Sequence, residues 1–429
     1  MATFQSGKRI FSVIGLTAIL LVAMVAATGC GANGPNGAKM KATLLSKEVG
    51  DDEVAKLTLT DRYVSAVADF SFNLFKASRT TGANTLISPL SVQLALAMTA
   101  NGADGQTLSQ MEQVLGNGLS QTELNQYWAG YRERLPNDLK TKLRVANSIW
   151  FRDEANRLTV EPDFLKTNAD YYLADVFKAA FDQQTLTDIN TWVKNKTNGM
   201  IDSILEEISN DTEMYLINAV TFEGKWEKPY KKSDVSEGTF TTVDGGKQSA
   251  KFMYSNEKTY LDDGRATGFI KPYHSNGYSF VALLPNVDVP IDDYIESLDA
   301  EQFFKTLQQA EATNVNAVMP KFSYDYEVEL NEPLKALGMP DAFSGTQANF
   351  TKLGKSTLGN LYIGDALHKT FIAVDELGTK AGAATKVEIV PESAMQARLV
   401  KLDRPFVYAI IDNETKLPVF LGTVMRLPD

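Results

Sequence analysis

From about residue 57 to the end, apolar positions fall into blocks whose spacing switches between the helical and the extended period. No linker, repeat or low-complexity tract separates them. Ser88-Pro89 offers an N-cap followed by proline at the first helical position. Val92, Ala95, Leu96 and Thr99 then mark one face, and Leu94, Ala97 and Met98 make the rest apolar. A helix apolar on all sides belongs at the centre of something large. Thr107 with Gln110 reads as a capping box, Leu108, Met111 and Leu115 as an apolar stripe, and Gly116 as a stop. Ile189, Trp192, Val193 and Lys196 define another helix, closed by Gly199. Tyr215 to Phe222 and Ser279 to Leu284 are nearly continuous apolar runs, the mark of strands covered on both faces. Phe322, Tyr324, Tyr326, Val328 and Leu330 alternate with polar residues, which predicts a half-buried strand. Residues 406–411 and 419–425 predict a closing hairpin. Helices dominate the first half and strands the second, so the fold class is α+β.

Composition narrows the chemistry. The 429 residues are 44% hydrophobic and 22% charged, which is the profile of a folded protein. At about 150 residues per domain the length alone suggests two or three domains. The formal charge of -11 leaves no positive field for a nucleic acid. Only His274, His368 and Cys30 carry imidazole or thiol groups. They lie too far apart in sequence for a zinc site, and no intrachain disulfide is available. With no GxSxG and at most two imidazoles to serve a nucleophile, the chain does not read as an enzyme. Neither a metal nor a cofactor is expected. The GxGxxG at residues 29–34 neither follows a strand nor opens a helix, so it carries no dinucleotide reading.

The first thirty residues read as a processing signal. Lys8 and Arg9 precede an apolar run from Ile10 to Ala27, which ends in Ala27-Thr28-Gly29-Cys30. This resembles a bacterial lipoprotein signal, which implies cleavage after residue 29 and a lipid on Cys30. The expected address is the cell surface or envelope, with the lipid membrane as a partner. Loss of residues 1–29 removes two bases and no acid, leaving 40 minus 53, or -13. Residues 30–57 read as a flexible tether and 58–429 as the folded domain.

Residues 375–405 are the most informative stretch. Thr379, Ala381, Ala383, Thr385, Val387 and Ile389 share one face at period two, and Pro391 ends the pattern. A strand over 379–390 would run roughly 40 Å. Its first half is nearly all small residues, which fits a loop that happens to alternate. It also fits a segment that is a loop in one state and a buried strand in another.

The run Glu376-Leu377-Gly378-Thr379-Lys380-Ala381-Gly382-Ala383-Ala384-Thr385 resembles the hinge of the serpins. Val400-Lys401-Leu402-Asp403-Arg404-Pro405-Phe406 is similar to the signature that follows their reactive loop. Family-like blocks precede it in order at 84–91, 145–150, 217–226 and 319–322, and Phe420-Leu421-Gly422-Thr423-Val424 follows. The resemblance implies a single large domain of about eight to nine helices around three β-sheets, with an exposed reactive-centre loop near 376–399. It implies a suicide-substrate inhibitor of serine, and sometimes cysteine, proteases. The loop is cleaved, and the acyl-enzyme is trapped in a covalent 1:1 complex as residues 379–390 insert into the central sheet.

Residue by residue, the resemblance makes Glu376, Gly378, Thr379, Ala381, Ala383, Ala384 and Thr385 the hinge. Ser88, Ser91, Asn218 and His368 match the family's shutter, and Trp226 the breach where insertion begins. Leu377 and Gly382 depart from the commoner polar and alanine choices. His274 lies in a turn signal and is expected to be exposed. Family spacing puts the bait bond at Glu392-Ser393, suited to a protease with a cationic pocket. Val390, Ala394 or Met395 would instead suit elastase-like enzymes, and Arg398 trypsin-like ones. A monomer is expected, and the absence of a basic helix stripe argues against heparin. A non-inhibitory serpin is the alternative within the fold.

Overall fold

The computed structural model describes residues 40–45, 52–135, 140–154, 157–210, 212–364, 366–379 and 397–428. Residues 41–429 form one compact unit, so length did not translate into two or three domains. The described residues hold nine α-helices, a seven-stranded sheet, a nine-stranded sheet and a two-stranded ribbon. The α+β class holds, as does the expected scale of helices and sheets.

The apolar helix Pro89–Ala100 is the central support. Ser88 caps it by accepting from the Ser91 amide, Pro89 stands in its first turn, and every residue but Ala95 is buried. It packs between strand Met214–Lys225 of the seven-stranded sheet and strand Pro418–Val424 of the nine-stranded one. That two-sided burial explains its apolar circumference. The closing hairpin is formed by Phe406–Asp412 and Pro418–Val424, paired antiparallel.

The Thr107/Gln110 capping box is not formed. Helix Gly105–Gly116 starts earlier, after Asp104, and lacks a side-chain cap. Thr107 Oγ1 instead accepts from the Asn349 amide at 3.0 Å, and Gln110 Oε1 from the Asp341 amide at 3.0 Å. Orphan amides of a distant loop outcompete the local cap, an outcome that spacing alone does not reveal. Gly116 is the last helical residue, while Asn117 takes the left-handed position beyond it. The third expected helix spans Gln183–Lys196, and Gly199 (φ +73°) closes it by bonding back to the Lys194 carbonyl.

In the seven-stranded sheet the order is 43–44, 175–179, 141–152, 214–225, 378–379, 367–374 and 322–329. Strand 214–225 pairs with Thr141–Arg152 over eleven residue pairs. Leu367–Val374 pairs with Phe322–Glu329 over eight. Between these two blocks lie only Gly378 and Thr379, bonded to a neighbour on each side. No other pair joins the blocks among the described residues, and among those residues the sheet presents a slot plugged at one end.

The expected tether is in part a clasp. Thr43–Leu44 is an edge strand paired with Phe177 and Lys178. The amides of Lys41 and Ala42 donate to the buried Asp188 carboxylate at 2.8 and 3.0 Å. Leu57 donates its amide to the Gln126 carbonyl, close above Gly130, where any Cβ would lie 2.3 Å from the Leu57 oxygen. Backbone pairing needs no apolar signature, which is why a polar stretch concealed it. Residues 1–39, including Cys30, lie outside the described residues.

Candidate functional site

The plug at the mouth of the slot is built by a turn after strand 367–374. The Asp375 carboxylate accepts from the amides of Leu377 (2.8 Å) and Gly378 (3.3 Å), and the Asp375 amide donates to the Gly378 carbonyl. Gly378 has φ +154°, and a Cβ there would sit 2.0 Å from the Gly224 oxygen. No side chain fits, so this glycine is required by contact as well as by conformation.

Trp226 holds the turn from the other side. Its amide donates to the Leu377 carbonyl at 3.0 Å, its indole Nε1–H to the Asp375 carbonyl at 2.9 Å, and the Tyr230 amide to the Glu376 carbonyl at 2.9 Å. Glu376 pairs with Lys321 at 2.7 Å. Partial burial alone would raise the Glu376 carboxyl, but the hydrogen bond and charge of Lys321 outweigh it and hold it below the ordinary range. Thr379 is 3% exposed, and its Oγ1 lies 2.6 Å from the Tyr273 hydroxyl. Tyr273 stacks on Trp226 at 4.5 Å, and burial drives its phenol far above the usual range. Thr379 is thus already a strand residue, facing the core as the period-two reading places it.

Below the plug, four expected residues come together. Helix 89–100 supplies Ser88 and Ser91, and the two strand blocks supply one partner each. The Ser88 amide donates to His368 Nε2 at 3.0 Å, and Ser88 Oγ–H to the Val419 carbonyl at 2.9 Å. Ser91 Oγ–H donates to Asn218 Oδ1 at 2.5 Å. Asn218 Nδ2–H then donates to Asn147 Oδ1 at 2.6 Å, and Asn147 to the Tyr172 carbonyl. His368 lies on one side of the slot and Asn218 on the other, so one helical turn fastens both. Burial pushes the His368 imidazole down to about 4, and the neutral ring acts as an acceptor.

Several contributors escaped the sequence reading. Tyr273 stood inside a turn signal, Asn147 and Lys321 inside family-like blocks, and Asp375 at the head of the informative stretch. Only long-range contact gives them their place. His274 is half-buried rather than exposed: its Nε2 lies 2.7 Å from Lys140 Nζ, and its amide donates to the Lys225 carbonyl.

The remaining hinge residues Ala381, Ala383, Ala384 and Thr385 lie outside the described residues. So do Glu392 and Ser393 and the alternative bait positions Val390, Ala394 and Met395. The chain is described again in strand Arg398–Lys401, parallel to Glu311–Pro320. There Arg398 lies 3.4 Å from Glu311 and over the Tyr260 ring at 5.1 Å. Arg398 is thus part of a strand, with its exposed side chain paired to Glu311 and laid over Tyr260.

Comparisons with known proteins agree with this architecture. The family model described as Serpin (serine protease inhibitor) matches residues 65–427. A thermophilic serpin, tengpin, crystallised in its native state, is 51% identical and has a TM-score of 0.86, over 90% of this chain and all of that one. Tengpin in its latent state matches at 52% identity and TM-score 0.79, over 87% of this chain and all of that one. Glia-derived nexin of Mus musculus is 31% identical over 360 residues, which span 80% of this chain and 87% of that protein.

Proposed function

The chain belongs to the serpin family, a family of protease inhibitors, and from that premise we propose that it traps its target through a cleaved and inserted loop. One observation carries this reading: Thr379 is buried between strands 214–225 and 367–374, with no other pairing between those strands among the described residues. A sheet with a plugged slot is a sheet ready to take another strand. In sequence, the residues at 381, 383, 384 and 385 that follow the buried Thr379 are small, and small side chains thread between strands quickly.

In the proposed reaction the target's serine hydroxyl adds to the Glu392 carbonyl. The peptide bond to Ser393 breaks, the proton passes to the departing Ser393 amine, and an ester to Glu392 remains. Residues from 380 onward then zip into the slot before water cleaves the ester, carrying the protease with them. A latent state in a relative 52% identical supports a slot that accepts chain. The glutamate at the bait position favours a glutamyl-specific enzyme, a protease with a cationic pocket. Cys30 is proposed as the lipid anchor, holding the inhibitor as a monomer at the cell envelope.

Incubation of the full mature chain with a panel of serine proteases tests the reading. A complex that survives denaturing electrophoresis, with a released peptide beginning at Ser393, is expected. A different new N-terminus would move the bait to an elastase-like site, and turnover without complex would reduce the protein to a substrate. Mass spectrometry of detergent-extracted protein tests the lipid on Cys30.

A further inference from the structure

Beneath the hinge lies a charge that packing does not call for. Lys271, on strand Ala266–Pro272, is 2% exposed, and its ammonium donates to Glu257 Oε1 at 2.7 Å. Glu257 is also buried and accepts from Ser255 Oγ–H at 2.6 Å. A buried ion pair adds little stability over apolar side chains of the same volume. Phe269 on the strand and Tyr273 just past its end, two residues to either side, are fully buried aromatics. Lys271 breaks that apolar row.

Its position relative to the hinge supplies a reason. The ammonium lies 4.4 Å from the Tyr230 ring centroid and 5.4 Å from that of Trp226, within the range of cation–π attraction. It also reaches the Lys228 carbonyl at 3.4 Å, on the segment joining those two aromatics. Trp226 and Tyr230 are the residues whose amides hold the Leu377 and Glu376 carbonyls. The Trp226 ring in turn stacks on Tyr273, the partner of Thr379. One ammonium therefore underlies the contacts that Trp226 and Tyr230, on the extension of strand 214–225, make with the turn at 375–379.

We propose that Lys271, neutralised by Glu257, is a positioning residue for loop insertion: through Trp226 and Tyr230 it registers the hinge so that Thr379 stays seated between the strands. The proposal rests on the insertion reading above, and it predicts where a freshly cut loop begins to zip. Without the registration, the cut loop starts from outside the slot, and hydrolysis of the ester gains time.

Two variants separate positioning from mere stability. Glu257→Gln leaves the ammonium under the rings but unneutralised. The double variant Lys271→Met with Glu257→Gln removes both charges and leaves a volume that packs. Hydrogen exchange at Trp226, Tyr230 and residues 377–379 of the uncut protein is read beside its Tm. Glu257→Gln is expected to lower Tm and leave hinge exchange unchanged. The double variant is expected to recover Tm while hinge exchange quickens about tenfold, with a several-fold higher stoichiometry of inhibition. Hinge exchange that follows Tm in both variants, or stays unchanged in the double, overturns the proposal. Should the unmodified protein form no covalent complex, the insertion reading falls, and the exchange measurement still decides whether Lys271 registers the hinge.

Discussion

Two strands of two residues each join the same seven-stranded sheet, and they differ in nearly every respect. Thr43–Leu44 lies at the edge, is exposed, and has one strand neighbour. Gly378–Thr379 lies inside, is buried, and has two. The edge strand is fixed by backbone pairing and by one buried carboxylate, Asp188, that takes the preceding amides. The inner strand is fixed by side chains gathered from several elements: Trp226, Tyr273, Lys321 and Asp375. The difference is that between a clasp and a starter. Pairing at an edge closes a boundary, whereas pairing between two strands that share no other pair among the described residues can begin a longer ladder.

Substitutions that act on only one of the two strands test this contrast. Thr379→Arg has the largest expected effect. It forces a guanidinium into a buried site beside the Tyr273 hydroxyl, at a cost of several kcal/mol. Covalent complex yield should fall at least tenfold while cleavage of the loop continues; stable complex at the original stoichiometry would break the comparison. Gly378→Val comes next, since its Cβ would meet the Gly224 oxygen. The hinge should leave the slot and inhibition fall several-fold, with hydrogen exchange at residues 43–44 unaltered.

Acid should act on the slot through His368. Its folded pKa is pushed down to about 4, against an unfolded value near 6.5. The unfolded chain therefore takes up the proton first as pH falls. The neutral ring's full contribution is present above about pH 6.5 and is lost progressively toward pH 4, by about 3 kcal/mol at most. Unfolding curves of the uncut protein compared with His368→Gln should diverge in that window and no other. The smallest effect is expected at the edge. Asp188→Ala should cost about 2 kcal/mol through two lost charge-assisted bonds, freeing residues 41–45 while complex yield stays unchanged.

Much of the site was legible in the chain, for reasons that differ by residue. Gly378 and Trp226 sit in recognisable local runs, and Ser88 announces itself through the cap it makes with Pro89. His368 and Asn218 were legible only through family resemblance, because their meaning is the helix that lies between them. Tyr273, Lys321 and Asn147 act across the fold, and spacing holds no trace of such contacts. Thr107 and Gln110 misled because a local cap and a distant loop compete for the same side-chain atoms. The predicted strand over 379–390 meets the described structure at Thr379 alone, and there both its face and its burial agree.

The clasp at Lys41 also bears on the anchorage proposed at Cys30. Twenty-seven residues separate Cys30 from Leu57, a chain that can extend roughly 90 Å. With Lys41 and Ala42 fastened to Asp188, only eleven remain, and their greatest span is roughly 40 Å. A lipid on Cys30 would then hold the inhibitor within about its own diameter of the bilayer. It would guard the membrane's immediate neighbourhood, and a protease diffusing farther out would pass beyond its leash.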